Sequence, residues 1–184
     1  MFEAMIDPTF PAARRGGAGT RAPRPAGLGQ RRIGLLANTK RNAAELLDAI
    51  AGLLAERQGT APVRRHRKPG IAEQAPDHVL ADLAESCDVV LVGVGDCGSC
   101  SASAVADGIA LEAAGVPAAV ICSEAFTLSA DAMAALKGEA GYRYLTTPHP
   151  VAPLTPAELT ERAKLLLPGV VGALTDRPSA TAVA

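Results

Sequence analysis

Tryptophan is absent from this chain of 184 residues, and aromatic side chains together make up only 3% of it. Nothing in that suggests a nucleic-acid groove. With 18 Lys and Arg against 19 Asp and Glu, the formal net charge is -1, and no excess of one sign marks a nucleic-acid groove. Long apolar runs are missing too. No stretch approaches the ~20 residues that span a bilayer, and the start lacks the continuous apolar segment of a secretion signal. A cytoplasmic protein without nucleic-acid or membrane partners is expected, acting on a small molecule, alone, as a homo-oligomer or beside a related subunit. Cysteine is sparse: four residues are too few for a disulfide-stapled scaffold.

What is present falls into three parts. Pro11 to Arg32 is dominated by Ala, Gly, Pro and Arg without hydrophobic period, and such a composition buries little. Residues 1–31 therefore read as an extended or disordered arm, in which Met5-Ile6-Asp7-Pro8 is a short docking segment or part of a leader with no role. Residues 32–175 read as a single domain, and 176–184 as a disordered tail.

The domain alternates strands with helices. Ile33 to Ala37 is an apolar strand, and Ala43, Leu46, Leu47, Ile50, Leu53 and Leu54 recur behind it at helical spacing. A weaker strand near Pro62 to Arg67 precedes a helix from about Pro76 to Glu85. Asp88 to Val94 is the third strand, with Val105, Ile109, Ala110 and Ala113 marking the next helix. Pro117 to Cys122 is the fourth, followed by a poorly marked helix near Ala130 to Leu136, and the fifth lies near Tyr142 to Thr147. Thr155-Pro156-Ala157-Glu158 is a capping box that opens the last helix. Five such units predict an α/β fold: a doubly wound, mostly parallel five-stranded sheet in three layers, Rossmann-like or flavodoxin-like. No GxGxxG opens the first unit, so no nicotinamide or other cofactor is expected.

Ligands in these folds bind outside the carboxyl ends of the strands. The residues there are Asn38-Thr39-Lys40 with Asn42, then Lys68-Pro69, then Gly95 to Cys100, then Cys122-Ser123-Glu124, then Pro148-His149-Pro150. The most informative group is Gly93-Val94-Gly95-Asp96-Cys97-Gly98-Ser99-Cys100, which sets two thiols three positions apart where a buried strand passes into a helix. Free N–H groups and a partial positive charge at a helix start favour thiolate over thiol.

These motifs, in this order, resemble the UGSC-type family, named for a selenocysteine-Gly-Ser-Cys signature in some members and read as thiol oxidoreductases. The resemblance runs from about Arg32 to Leu167, with an echo at Ile6-Asp7-Pro8. It rests on Asn38 to Asn42, Arg67-Lys68-Pro69, Gly93 to Cys100, Asp107, Cys122-Ser123-Glu124 and Pro148-His149-Pro150. It implies that Cys97, standing where relatives carry selenocysteine, is the attacking atom and Cys100 its resolving partner. Ala125, Ser101 and Ala152-Pro153 depart from the common pattern, at positions that bear on pocket shape.

The remaining candidates each have a plain alternative. His149, framed by two prolines, serves as acid/base or as the cation beside a thiolate, or is a solvated loop histidine. Glu124 is the carboxylate for proton transfer or a loop anchor. Lys40 and Lys68 bind an anionic substrate, stabilise the thiolate, or are surface charges. Asn38 and Asn42 contact substrate or close turns, and Asp96 contacts substrate or caps the helix. Thr39, Gly95, Gly98, Ser99 and Ser101 complete the substrate-binding set, with the N–H groups of Gly98 to Cys100 stabilising charge. Asp107 is expected to bond a neighbouring loop, Cys87 to fill the core, and Cys122 to be either core or a third thiol. Two chemistries compete with thiol redox: a lyase or transferase with Cys97 as nucleophile, and a Cys97, Cys100, Cys122, His149 metal site.

Overall fold

The computed structural model describes residues 21–175. Its sheet has five strands, β1 (Ile33–Ala37), β2 (Arg64–Arg67), β3 (Val89–Gly95), β4 (Ala118–Ser123) and β5 (Leu145–Thr147), in the order 2-1-3-4-5. All pairings are parallel. The expected fold class is the one observed.

Apolar pattern dictates the layers. β1, β3 and β4 are buried at every residue, as central strands of a parallel sheet covered on both faces must be. Helices α1 (Ala43–Gln58) and α5 (Pro156–Leu174) cover one face, where Leu46, Leu47, Ile50 and Leu54 meet Leu159, Ala163, Leu167 and Val170. Helices α2 (Asp77–Ser86), α3 (Gly98–Ala113) and α4 (Thr127–Leu136) cover the other, with Leu83, Val105, Leu111, Ala130 and Ala134 on the sheet. Edge strand β2 carries Arg64 and Arg65 outward, paired with Asp82 and Asp48, and such charges discourage further strand pairing. Thr155 accepts the Glu158 N–H while Glu158 accepts from the Thr155 N–H, so the capping box is formed.

Three boundaries differ from expectation. α4 begins at Thr127 rather than near Ala130, after a single turn of 3₁₀ helix over Glu124–Phe126. β5 is shorter than the expected span from Tyr142, because the Tyr142 N–H closes a turn on Glu139 and delays entry into the sheet. Residues 21–31 are irregular but docked. Ala22 and Leu28 are buried, and Arg24 holds both carboxylate oxygens of Glu112, whose Oε2 also accepts the Ala22 N–H. A bidentate charged pair supplies there the anchoring that apolar content alone lacks. Met5-Ile6-Asp7-Pro8 and the 176–184 tail lie outside the described residues. No described helix is long and apolar enough to cross a membrane.

The chain winds outward from β1 to β2, then returns to place β3 on the other side of β1. The crevice between the ends of β1 and β3 is the topological switch point, where such folds bind ligands. Asn38 to Lys40 and Asp96 to Cys100 come directly after those two strands.

Candidate functional site

β3 ends in a bulge. Val92 pairs with Val120 and Gly95 with Cys122, so β3 uses one residue more than β4 over this step. A bulge bends its strand and re-aims the residues beyond it. Gly95 permits the tight packing: a Cβ there would lie 2.7 Å from Cys122 Sγ and from Ser101 Cα and Oγ. The first turn of α3 can therefore press against β4 only because no side chain intervenes.

Cys97 continues in extended conformation and caps α3, its sulfur accepting the Cys100 N–H at 3.4 Å. Asp96, expected to be the cap, is turned away from the helix. Cys97 and Cys100 have Cα atoms 5.3 Å apart and sulfurs in disulfide contact. Cys97 is half-buried and Cys100 fully buried, so a molecule arriving from solvent meets Cys97 first. The Asp96 N–H points at Cys100 Sγ from 3.1 Å, which gives each sulfur one backbone donor.

Asp96 organises the opposite wall. Its carboxylate is 1% exposed and accepts the Val151 N–H at 3.1 Å and the Ala152 N–H at 3.2 Å. His149 Nδ1 lies 2.9 Å from Oδ1, and Lys40 Nζ 3.9 Å from Oδ2. Burial pushes the Asp96 carboxyl up, but hydrogen bonds from Val151, Ser123, Ala152 and His149 outweigh it and hold the group below its usual value. His149 Nδ1 also lies 3.3 Å from Ser123 Oγ, and its ring meets Phe126 edge to face at 5.2 Å. The strand ends thus bring His149 to the residue preceding Cys97.

Most of the polar residues named from sequence build this frame through their own hydrogen bonds. Asn38 donates to the Val94 carbonyl and accepts the Lys40 N–H. Asn42, at φ 67°, spans the carbonyls of Val151, Ala152 and Leu154 at 3.1, 3.0 and 2.8 Å, gripping the loop beyond His149. Lys40 donates to the Asp96 carbonyl at 3.2 Å and keeps its ammonium partly exposed. Lys68 is buried, with Nζ 2.6 Å from Asp107 Oδ2 and 3.0 Å from Ser103 Oγ. That ammonium braces β2 to α3 and is not free for an anionic substrate. Burial pushes the Asp107 carboxyl up against the attraction of Lys68, while its Oδ1 accepts the Ala75 N–H, the expected loop bond.

Ser101 is buried behind Gly95, whereas Thr39 and Gly98 are half-buried and Ser99 and Glu124 exposed. Cys122 is completely buried, and burial pushes its thiol up to about 12 against a weak opposing contact from Ser101. It is core, as is Cys87 beside Leu83 and Val90. With Cys122 enclosed, the Cys₃His set is not assembled, and no three His, Cys, Asp or Glu side chains among the described residues gather as a metal ion would need. A shallow groove of about 570 Å³ along α5, lined by Leu154, Ala157, Arg162 and Leu165, is remote from the thiols in sequence and shares no lining residue with them.

Sequence reasoning missed three contributors. Ser123 is visible there only as part of a strand end, Phe126 only as an isolated aromatic, and Arg162 not at all. Arg162 Nη1 holds Thr147 Oγ1 at 2.9 Å and the Pro148 carbonyl, fixing the segment that carries His149.

The fold and site together define a flavodoxin-like α/β domain with a Cys-x-x-Cys pair at the switch point of its sheet. The chain belongs to the UGSC family, whose family model matches residues 4–176. No curated protein matches it closely enough to count as a relative.

Proposed function

We propose that this protein is a thiol-dependent oxidoreductase that reduces a small disulfide-type electrophile through Cys97 and Cys100. The Cys97 thiolate attacks one sulfur of a substrate R–S–S–R′, forming a Cys97–S–S–R bond and releasing R′–S⁻, which takes up a proton. The Cys100 thiol then loses its proton and attacks Cys97 Sγ; R–S⁻ leaves and is protonated as the Cys97–Cys100 disulfide forms. The substrate gains two electrons and two protons, and the dithiol loses them. An external thiol reductant restores the pair by exchange.

The observation that carries this reading is the asymmetry of the pair: a half-buried Cys97 capping α3 with its sulfur, and an enclosed Cys100 within disulfide contact. Attacking and resolving thiols require that order of access. His149 and Glu124 supply the acid–base groups at the strand ends, and Lys40 the partly exposed cation.

Alkylation of the reduced protein by iodoacetamide at neutral pH tests it. Cys97 should be modified well before Cys87 or Cys122, and mild oxidation should join Cys97 to Cys100 within one chain. In Cys100→Ser, a mixed disulfide on Cys97 should accumulate. Retained turnover in Cys100→Ser would instead favour covalent catalysis without redox.

A further inference from the structure

Among the described residues, His149 is held through one ring nitrogen only. Nδ1 faces two oxygens, Asp96 Oδ1 at 2.9 Å and Ser123 Oγ at 3.3 Å. The Asp96 carboxylate, held below its usual value and already accepting two backbone N–H groups, is an acceptor. The Ser123 hydroxyl has a single hydrogen, drawn to the Gly95 carbonyl at 3.1 Å and to the Asp96 carboxylate, so toward His149 it too can only accept. Two acceptors require a donor between them. The hydrogen of the neutral ring therefore sits on Nδ1, and Nε2 carries the lone pair.

Nε2 lies on the side of the ring away from Asp96. The His149 side chain as a whole is 37% exposed and Nδ1 is turned to the buried Asp96 carboxylate, which leaves Nε2 as the ring nitrogen open to a bound molecule. The holders are themselves fixed. Asp96 is locked by Val151 and Ala152, Ser123 by Gly95, and the backbone before His149 by Arg162.

We infer that Asp96 is a positioning residue that sets the tautomer and orientation of His149, making Nε2 the proton-transfer atom of the thiol site. This rests on the thiol reading above. When Cys97 attacks R–S–S–R′, the protonated ring passes its Nε2 hydrogen to the departing R′–S⁻, giving R′–SH and the neutral Nδ1–H ring. That ring next takes the Cys100 proton, Cys100 attacks Cys97 Sγ, and the same hydrogen goes to R–S⁻. Asp96 stays ionised throughout and balances the imidazolium charge. Among the described residues, the charged groups tied to the ring and its holders are Asp96, from the β3 to α3 turn, Lys40, which bonds that turn from the end of β1, and Arg162, which bonds the Pro148 carbonyl from α5.

The demand for a proton depends on the leaving group, which gives a test. An aryl disulfide expels a thiolate stable without protonation; an alkyl disulfide expels one that needs it. Rates of the first Cys97 exchange would be measured with 5,5′-dithiobis(2-nitrobenzoate) and with 2-hydroxyethyl disulfide, in the protein, Asp96→Asn and His149→Gln. Both variants should lose about 100-fold or more with the alkyl disulfide and stay within about two-fold with the aryl one. Equal loss with both probes would mean that the residues only shape the site, and would overturn the inference. Nitrogen-15 spectra of the His149 ring provide a second readout that needs no variant. They should show Nδ1 protonated and Nε2 bare in the neutral ring, and the reverse tautomer would sink the proposal. A Cys97 inert to both disulfides, with the Nδ1–H tautomer present, would instead refute the oxidoreductase reading alone.

Discussion

Asp96 shows how one side chain is given its role by its surroundings. In sequence it is an aspartate before a helix, a position where carboxylates cap; in the fold Cys97 is the cap and Asp96 faces the loop after β5. Its folded-state value lies below the ordinary 3.8, so the ionised form is bound more tightly in the native state than in the unfolded chain. The resulting stability is fully present above the ordinary value and is lost as pH falls through the lower folded one. Thermal unfolding followed from about pH 6 down to about pH 3, across the ordinary aspartate range, should fall more steeply in the acid limb for the protein than for Asp96→Asn. Parallel curves would show that the carboxylate is not selectively held. Cys122 is the converse case: enclosed and pushed up to about 12, it should stay unmodified in the native protein and react only after unfolding.

At the scale of elements, the site depends on how closely α3 approaches the sheet. Gly95→Ala puts a methyl group within 2.7 Å of Ser101 Cα, a backbone atom that cannot swing aside. The first turn of α3 must shift, at a cost of about 1–3 kcal/mol, and Cys97 shifts with it. Denaturant unfolding should register the loss, and iodoacetamide labelling of Cys97 should slow in the folded variant. A second tie joins α3 to the end of β2 through Lys68 and Asp107, both almost wholly buried. Lys68→Met, which strands a buried carboxylate, should cost about 3–5 kcal/mol, and Asp107→Leu added to it should recover much of that. Two variants with additive losses would show that the pair is not coupled.

Over the whole molecule, a segment distant from the thiols closes the opposite end of the domain. Arg24 bonds Glu112 on α3 and the Ala173 carbonyl near the end of α5, linking helices on the two faces of the sheet. Glu112 also accepts the Ala118 N–H at the start of β4. Arg24→Ala removes the charged partner of a buried carboxylate and should cost about 2–3 kcal/mol, measured as a lower denaturation midpoint. Because Arg24 and the thiols lie at opposite ends of the parallel strands, the Cys97 labelling rate should be unchanged. A slowed rate would reveal coupling between the two ends.

Local pattern made the architecture legible. Buried runs at β1, β3 and β4, helical spacing in α1, and the Thr155 to Glu158 capping box each depend on a few neighbouring residues, whose chemistry is readable along the chain. Parallel winding then required the strand ends to share one edge, which brings the Cys97 and His149 regions together on sequence grounds alone. Tertiary structure alone decided what each polar group does there. Lys68 and Lys40 are both lysines after strands, yet one is buried on Asp107 and the other keeps an accessible ammonium. Cys122 and Cys97 both come after apolar runs, yet one is sealed under α3 and the other only half-buried. Propensity and period act over a few residues, whereas burial and hydrogen-bond partners come from segments tens of residues away, as Ser123 to His149 and Asp96 to Val151 do.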